Sequence, residues 1–175
     1  NQYCSSRYFL LAVHKFFSDT PIDMTYVVLT KEAREAHWDK DDQENLRHQL
    51  LKIEKPFDEI DIPSIQSTEG LWTMFSAIEQ KIQEGDQIIF DITNSWRSQP
   101  VVALLIISFV KITKQAKIKT LIYGSFDRAS NSRNEPQPAY NLNSMATLLD
   151  WTTAVSTFQQ TGRVENLAAL AKGLG

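Results

Sequence analysis

One long apolar helical segment lies between two short apolar runs, and this order constrains the fold of the chain more than any other feature. The runs are residues 87–92 and 117–123, and the helical segment is residues 98–114. Residues 24–29 form a third run of apolar and β-branched side chains, which is typical of a strand buried on both faces. Strands that alternate with helices in this way predict a parallel sheet covered by helices.

Apolar residues recur at helical spacing between and after these strands. We expect further short strands near Ile60 and Tyr140, a helix that begins at Thr30, and helices over residues 7–17, 39–55, 69–83, 145–160 and 163–174. The sequence therefore predicts an α/β fold, with a Rossmann-like, doubly wound, mainly parallel sheet and helices on both faces. The strand count is low for such a sheet, and a first strand before Asn1 would complete it.

The predicted fold divides into two regions. Residues 1–143 form the core, and residues 144–175 form two C-terminal helices that carry apolar stripes. Part of these stripes belongs to the core, and part is expected to face a second copy of the chain or a linked domain. Because the chain begins with Asn and ends just after an Ala- and Leu-rich helix, we expect it to be a fragment.

Composition excludes several classes of function. The net charge is −3 and the isoelectric point is about 5.6, so the broad basic face needed for direct DNA binding is not expected. The single cysteine, Cys4, permits no disulfide within the chain and is typical of the cytoplasm. The longest apolar run, residues 101–110, is about half of the roughly 20 residues that a membrane helix needs.

A polar turn joins the strand at residues 87–92 to the long helix. Residues 90–100 read Phe-Asp-Ile-Thr-Asn-Ser-Trp-Arg-Ser-Gln-Pro. Unpaired N–H groups and the helix dipole make such a turn a site for anions, and Arg97 adds a planar donor suited to phosphate. In open α/β sheets ligands bind where the strands end. The turn is therefore interpreted as the phosphate-binding loop of a nucleotide sensor.

This turn resembles the strand–turn–helix motif of CARF domains, the CRISPR-associated Rossmann-like sensors. The likeness is closest to the type III effector branch that is linked to HEPN ribonucleases. Weaker likenesses lie in residues 12–17, 30–33, 122–126 and 149–155. The chain departs from the family pattern at Asn94, where His is frequent, and at Trp96, where Phe is frequent. The glycine-rich first ligand loop of the family is not visible.

The resemblance implies a homodimeric sensor in type III CRISPR antiviral defence. Its ligand would be a cyclic oligoadenylate, with the tetra-adenylate favoured and the hexa-adenylate as the second choice. Binding would allosterically activate an attached or neighbouring effector whose catalytic residues lie outside this chain. The alternative is a ring nuclease, in which the ribose 2′-hydroxyl attacks its own phosphate without a metal. A third interpretation is a Rossmann-like domain for an unrelated nucleotide or a DNA-binding regulator.

Six residues of the turn are expected to contact the ligand: Thr93, Asn94, Ser95, Trp96, Arg97 and Ser98. The hydroxyl and amide residues would donate to phosphate and ribose, although Ser95 or Ser98 can instead be an ordinary helix cap. Arg97 would pair with phosphate or stack on adenine, and its alternative is a surface salt bridge of little energetic value. Trp96 would stack on a base or pack as core, and the core role is favoured.

Four further ligand residues are expected from neighbouring strand ends. Gly124 and Ser125 follow one strand, and Thr30 and Lys31 follow another. Asp91 is expected to orient the turn through hydrogen bonds rather than to react. The sequence carries no metal-ligand spacing, P-loop or Gly-x-Gly-x-x-Gly pattern. We therefore expect no metal and no cofactor, and the sequence assigns no catalytic residue.

Overall fold

The computed structural model describes residues 4–64, 67–94, 99–125 and 137–173. Within them the elements follow in this order: α1 (Phe9–Phe16), β1 (Thr25–Leu29), α2 (Lys31–Ala33), a π-helical turn (Arg34–Trp38), α3 (Leu46–Leu51), β2 (Phe57–Asp61), α4 (Thr68–Glu79), β3 (Gln87–Asp91), α5 (Gln99–Thr113), β4 (Lys117–Gly124), β5 (Ala139–Asn141), α6 (Asn143–Thr161) and α7 (Glu165–Lys172).

The described strands form two sheets. β1 and β2 are parallel, with Thr25 opposite Phe57 and Leu29 opposite Asp61. β3 and β4 are also parallel, with a bulge after Ile88, and β5 runs antiparallel to β4. The mixed α/β class and the parallel pairing agree with the prediction. A single doubly wound Rossmann-like sheet is not confirmed, because no ladder joins the two sheets within the described residues.

Helices cover one face of β1 well and the other face poorly. Val27 and Leu29 are buried with Trp38 of the π-helical turn and with α3, and the first turn of α1 packs beside them. Tyr26 and Val28, on the opposite face, are 39% and 37% exposed. The expectation that this strand is buried on both faces is therefore fulfilled on one face, since α1, the π-helical turn and α3 all lie on the same side.

The largest core cluster lies under α4 and α5. Ile60 of β2 and Ile78 of α4 pack there with Ile106 and Val110 of α5, both fully buried. A smaller cluster joins α5 to the ends of β3 and β4 through Leu121. None of the helices in the described ranges combines the length and the apolar character that crossing a bilayer requires.

One connecting region differs from the helical pattern that the sequence predicts. Of the charged segment 39–55, which was expected to be one exposed helix, only Leu46–Leu51 is helical. Asn45 caps this helix by accepting the N–H of His48 at 2.8 Å, and it also donates to the Lys40 carbonyl. The buried Asn45 thus satisfies backbone groups at the helix start, which favours a late start over a continuous helix.

His14 lies inside α1 and is buried against the start of β1. Its Nε2 is 3.2 Å from Thr25 Oγ1, and its Nδ1 has no hydrogen-bond partner among the described residues. Burial lowers the pKa of His14 from its ordinary value of 6.5, and the charge of Lys55 acts in the same direction. The imidazole therefore holds α1 against β1 as a neutral group.

We expect the free energy of unfolding to fall as the pH is lowered below about 6.5. Above that pH His14 is neutral in both states, whereas below it the unfolded chain binds a proton that the folded chain resists. The loss grows until the pH reaches the lowered pKa of the folded state. Urea unfolding at about pH 7.5 and about pH 5.5 measures it. His14→Gln should reduce the pH dependence, and His37→Gln, at an exposed position, should not.

Candidate functional site

The candidate site is the edge of the sheet at which β3 and β4 end. Asp91 pairs with Ile122 across the two strands, and the N–H of Ile92 donates to the Ile122 carbonyl at 3.0 Å. The two strands are parallel, so their carboxyl ends meet at one edge, as ligand binding in open α/β sheets requires. The polar residues that follow each strand therefore come together here.

Thr93 holds the two strand ends together. Its Oγ1 accepts the N–H of Gly124 at 2.8 Å, and its own N–H donates to Asp91 Oδ1 at 2.9 Å. We call this pair of hydrogen bonds the strand-end clasp. The Thr93 side chain also forms a hydrogen bond with the Asp91 carboxyl group, so its hydroxyl links Asp91 to Gly124.

Asp91 orients the turn from a half-buried position, as expected. Burial raises the pKa of its carboxyl, while the hydrogen bonds from Thr93 act in the opposite direction. A carboxylate that accepts a backbone N–H two residues ahead forms the start of an Asx-type turn. Asp91 therefore fixes the backbone where the chain leaves β3.

Gly124 leaves room for the first turn of α1. A Cβ at this position would lie 2.8 and 2.9 Å from two ring carbons of Phe9 and 3.1 Å from Thr93 Cγ2. Real Cβ atoms do not approach this closely, so the Phe9 ring occupies space that only glycine provides. The sequence did not single out Phe9, because it lies within a helical pattern. A glycine at the strand end was the only available signal.

The first turn of α1 also contacts the other sheet. The Tyr8 ring packs edge-on against His37 of the π-helical turn, with centroids 6.0 Å apart, and Leu11 packs with the cluster that contains Leu29 of β1. The carboxyl ends of β1 and β4 therefore lie on either side of this helix turn. Thr30 and Lys31 belong to the same region as Gly124, with the helix turn between them.

Thr30 has a structural role that the sequence also predicts. Its hydroxyl accepts the N–H of Ala33 at 3.2 Å and caps α2. Lys31 is exposed, and its Nζ is 4.0 Å from Glu35 Oε1. An exposed pair at this distance is worth little, so Lys31 can reorient towards an anion at small energetic cost.

The structure describes only two of the remaining predicted residues, Asn94 and Ser125. Asn94 is exposed directly after Thr93. Ser125 is half-buried, and its N–H donates to the Pro138 carbonyl at 2.9 Å, which leaves its hydroxyl for other contacts. Ser95, Trp96, Arg97 and Ser98 lie outside the described residues. Within the described ranges no three His, Cys, Asp or Glu side chains are grouped so that they could hold a metal ion.

The donors of this edge are of the kind that bind oxygen-rich ligands. The described edge offers hydroxyl, amide and backbone donors from two strand ends, and its one carboxylate is already engaged by the turn. Donors of this kind recognise phosphate and ribose oxygens.

Comparison with known proteins gives one partial similarity. No protein-family model matches the chain. Over 54 residues it is 33% identical to a CRISPR-associated protein of Methanocaldococcus jannaschii. The matched segment is 31% of this chain and 8% of that protein. The similarity therefore links the chain to CRISPR-associated proteins and covers only a small part of the relative.

Gly124→Ala should destabilise the fold by about 1–3 kcal/mol, because the added methyl group overlaps the Phe9 ring. Urea unfolding measures the loss. Gly173→Ala is the matched control, since a Cβ there has its nearest neighbour at 3.5 Å and should change stability little. Combining Gly124→Ala with Phe9→Ala should cost less than the sum of the single changes. Additive losses would contradict the proposed overlap.

Proposed function

We propose that this chain is the cyclic oligoadenylate-binding sensor domain of a type III CRISPR antiviral defence effector. The observation that carries the proposal is the strand-end clasp, which joins Thr93 to Gly124 and leaves Asn94 exposed beside them. These residues belong to the stretch that resembles the CARF motif. The similarity to a CRISPR-associated protein supports the same class of function.

The chemistry of the edge supports an anionic nucleotide ligand. The Ser125 hydroxyl and the Asn94 amide would donate to phosphate and ribose oxygens, and the Thr93 hydroxyl would do so where a ligand oxygen replaces Asp91 as its acceptor. Arg97 would add a positive charge beside these neutral donors, through a bidentate contact with phosphate. Thr30 and Lys31 would contribute from the other side of α1. Binding at this edge would then bias an attached effector, which supplies the catalytic residues.

We extend the proposal to a Rossmann-like sheet. Among the described strands β1 pairs only with β2, and β3 pairs with β4 but not with β1, so β1 and β3 each leave one edge open. A strand between them would join the sheets in the order β2, β1, added strand, β3, β4, β5. Contacts on opposite faces of β4 support this arrangement, because Gly124 meets α1 while Leu121 meets α5.

We also propose that the sensor acts in the cytoplasm as a homodimer formed through α5. Lys111 is the only charged residue of this helix, and a helix that is apolar all round is normally buried. Four apolar side chains nonetheless remain between 43% and 70% exposed on one side of it: Val101, Leu105, Phe109 and Ile112. We call these four residues the α5 stripe. Phe75 extends it towards Trp72 of α4, with ring centroids 5.2 Å from Phe109 and 5.8 Å from Trp72.

A second copy of the chain would bury the exposed apolar side chains of the α5 stripe. A stripe on one helix can pack on its own two-fold image, so an isologous contact buries the same residues on both chains. Lys111 does not stand in the way, since it pairs with Asp150 of α6. A symmetric ring would then meet the same edge from both subunits.

Calorimetric titration with cyclic tri-, tetra- and hexa-adenylate tests the proposed ligand. We expect saturable binding of one ring per two chains, strongest for the tetra-adenylate. Chromatography of the same mixtures distinguishes the two activities. An unchanged ring is the result for a sensor, and linear products would favour the ring nuclease. Binding of none of the three rings would overturn the proposal.

Arg97→Ala should weaken ring binding by about 2–5 kcal/mol, because it removes one partner of a desolvated charge pair. Titration calorimetry of wild type and variant gives the difference. Arg163→Ala is the matched control, since Arg163 is exposed between α6 and α7, and it should keep wild-type affinity. Equal losses in the two variants would show that Arg97 contributes only general charge.

Leu105→Glu should convert the dimer to a monomer, because it places a charge in the middle of the α5 stripe. Light scattering coupled to size-exclusion chromatography measures the mass. Leu51→Glu, at an exposed leucine of α3, is the matched control and should leave the dimer intact. A Leu105→Glu variant that keeps the wild-type mass would exclude this face as the dimer contact.

A further inference from the structure

Two exposed tyrosines face each other beside the strand-end clasp. Tyr123 of β4 pairs directly with Tyr140 of β5 in the antiparallel ladder, and the two residues are 39% and 50% exposed. Side chains in directly opposite positions have Cβ atoms about 5 Å apart. Neither ring stacks on another aromatic ring within the described part of the chain.

The face of the sheet that carries the two tyrosines is the face covered by α5. Tyr123 points to the same side as Leu121, two residues earlier in the strand, and Leu121 packs with Ala103 and Ile107 of α5. Gly124 points to the opposite side, where it meets Phe9. The tyrosines and the α1 contact therefore lie on opposite faces of the same strand end.

The tyrosines are also level with the start of α5. A helix that links two parallel neighbouring strands runs antiparallel to them. Two residues along β4 advance about 6.6 Å, and four residues back along α5 advance about 6 Å. Along β4 this distance separates Leu121 from Tyr123, and along α5 it separates Ala103 from Gln99. These spacings bring Tyr123 level with Gln99 in the first turn of α5, and Tyr123 directly precedes Gly124 of the clasp.

The formation of β5 is not explained by burial of its side chains, since all three of its residues are exposed. The strand does place Tyr140 beside Tyr123. Two neighbouring, partly exposed tyrosines form an aromatic surface next to hydroxyl and amide donors. Planar bases stack on such surfaces, whereas phosphates and riboses contact the donors.

We propose that Tyr123 and Tyr140 form a stacking platform for one adenine of the cyclic oligoadenylate, while the clasp and the start of α5 contact the adjoining phosphate. This inference rests on the proposed function and names two residues of the site that carry the base. Stacking tolerates any base, so the platform contributes affinity rather than base identity. In a dimer, each subunit would hold one base of the ring in the same way.

Titration calorimetry with cyclic tetra-adenylate tests the platform. Tyr123→Ala and Tyr140→Ala should each weaken binding about 5- to 150-fold, which is the usual value of one base–aromatic contact. Tyr123→Phe and Tyr140→Phe should keep affinity close to that of the wild type, because the ring and not the hydroxyl makes the contact. Tyr26→Ala is the matched control, since Tyr26 is also 39% exposed but lies on β1.

Each variant is also checked for wild-type mass and thermal unfolding, so that lost folding or lost dimerisation is not taken for lost stacking. Wild-type affinity in both alanine variants would overturn the platform and leave the proposed function standing. A Phe variant as weak as its Ala counterpart would also overturn it, because the hydroxyl would then be the contacting group. If the wild type itself binds no ring, the platform falls together with the proposed function.

Discussion

The hydrogen bond from the Gly124 N–H to the Thr93 hydroxyl is the interaction on which the arrangement of the site depends. It joins the ends of two strands through residues that are 31 positions apart in the sequence, and it forms where a side chain would collide with Phe9. The absence of a Cβ at Gly124 therefore serves two purposes. It lets α1 approach the edge, and α1 in turn contacts the end of β1 through Tyr8 and Leu11. The first turn of α1 thus lies against the carboxyl ends of both β1 and β4.

The strands and the local turn chemistry could be predicted from the sequence, because each depends on neighbouring residues. The apolar runs at 87–92 and 117–123 correspond closely to β3 and β4, and Thr30 caps a helix as its position suggested. The division into two sheets could not be predicted, since the pairing of strands depends on contacts between distant residues. Tyr26 and Val28 illustrate the same limit, because a strand with uniformly apolar residues gives no sign that one face stays uncovered.

The candidate site was predictable only in part for a similar reason. Asp91 and Thr93 act within the turn itself, and a pattern of small polar residues after a strand identifies such a turn. Phe9 contributes through space from the other end of the chain, and its place in a helical pattern hides that role. In the sequence, Tyr123 and Tyr140 each look like ordinary strand residues. The register of β4 and β5 shows that they are neighbours.

In the proposed dimer, the size of the cyclic oligoadenylate that binds would depend on where the two-fold axis crosses α5. The α5 stripe extends from Val101 to Ile112, and the clasp lies near the start of the same helix. Helix residues advance about 1.5 Å each, so moving the axis by one turn along the stripe shifts each edge by about 5.4 Å. The two edges of a dimer would then separate or approach by up to about twice that distance. In the proposed dimer, helix packing between subunits would therefore determine ring size, and no single residue of the edge would do so.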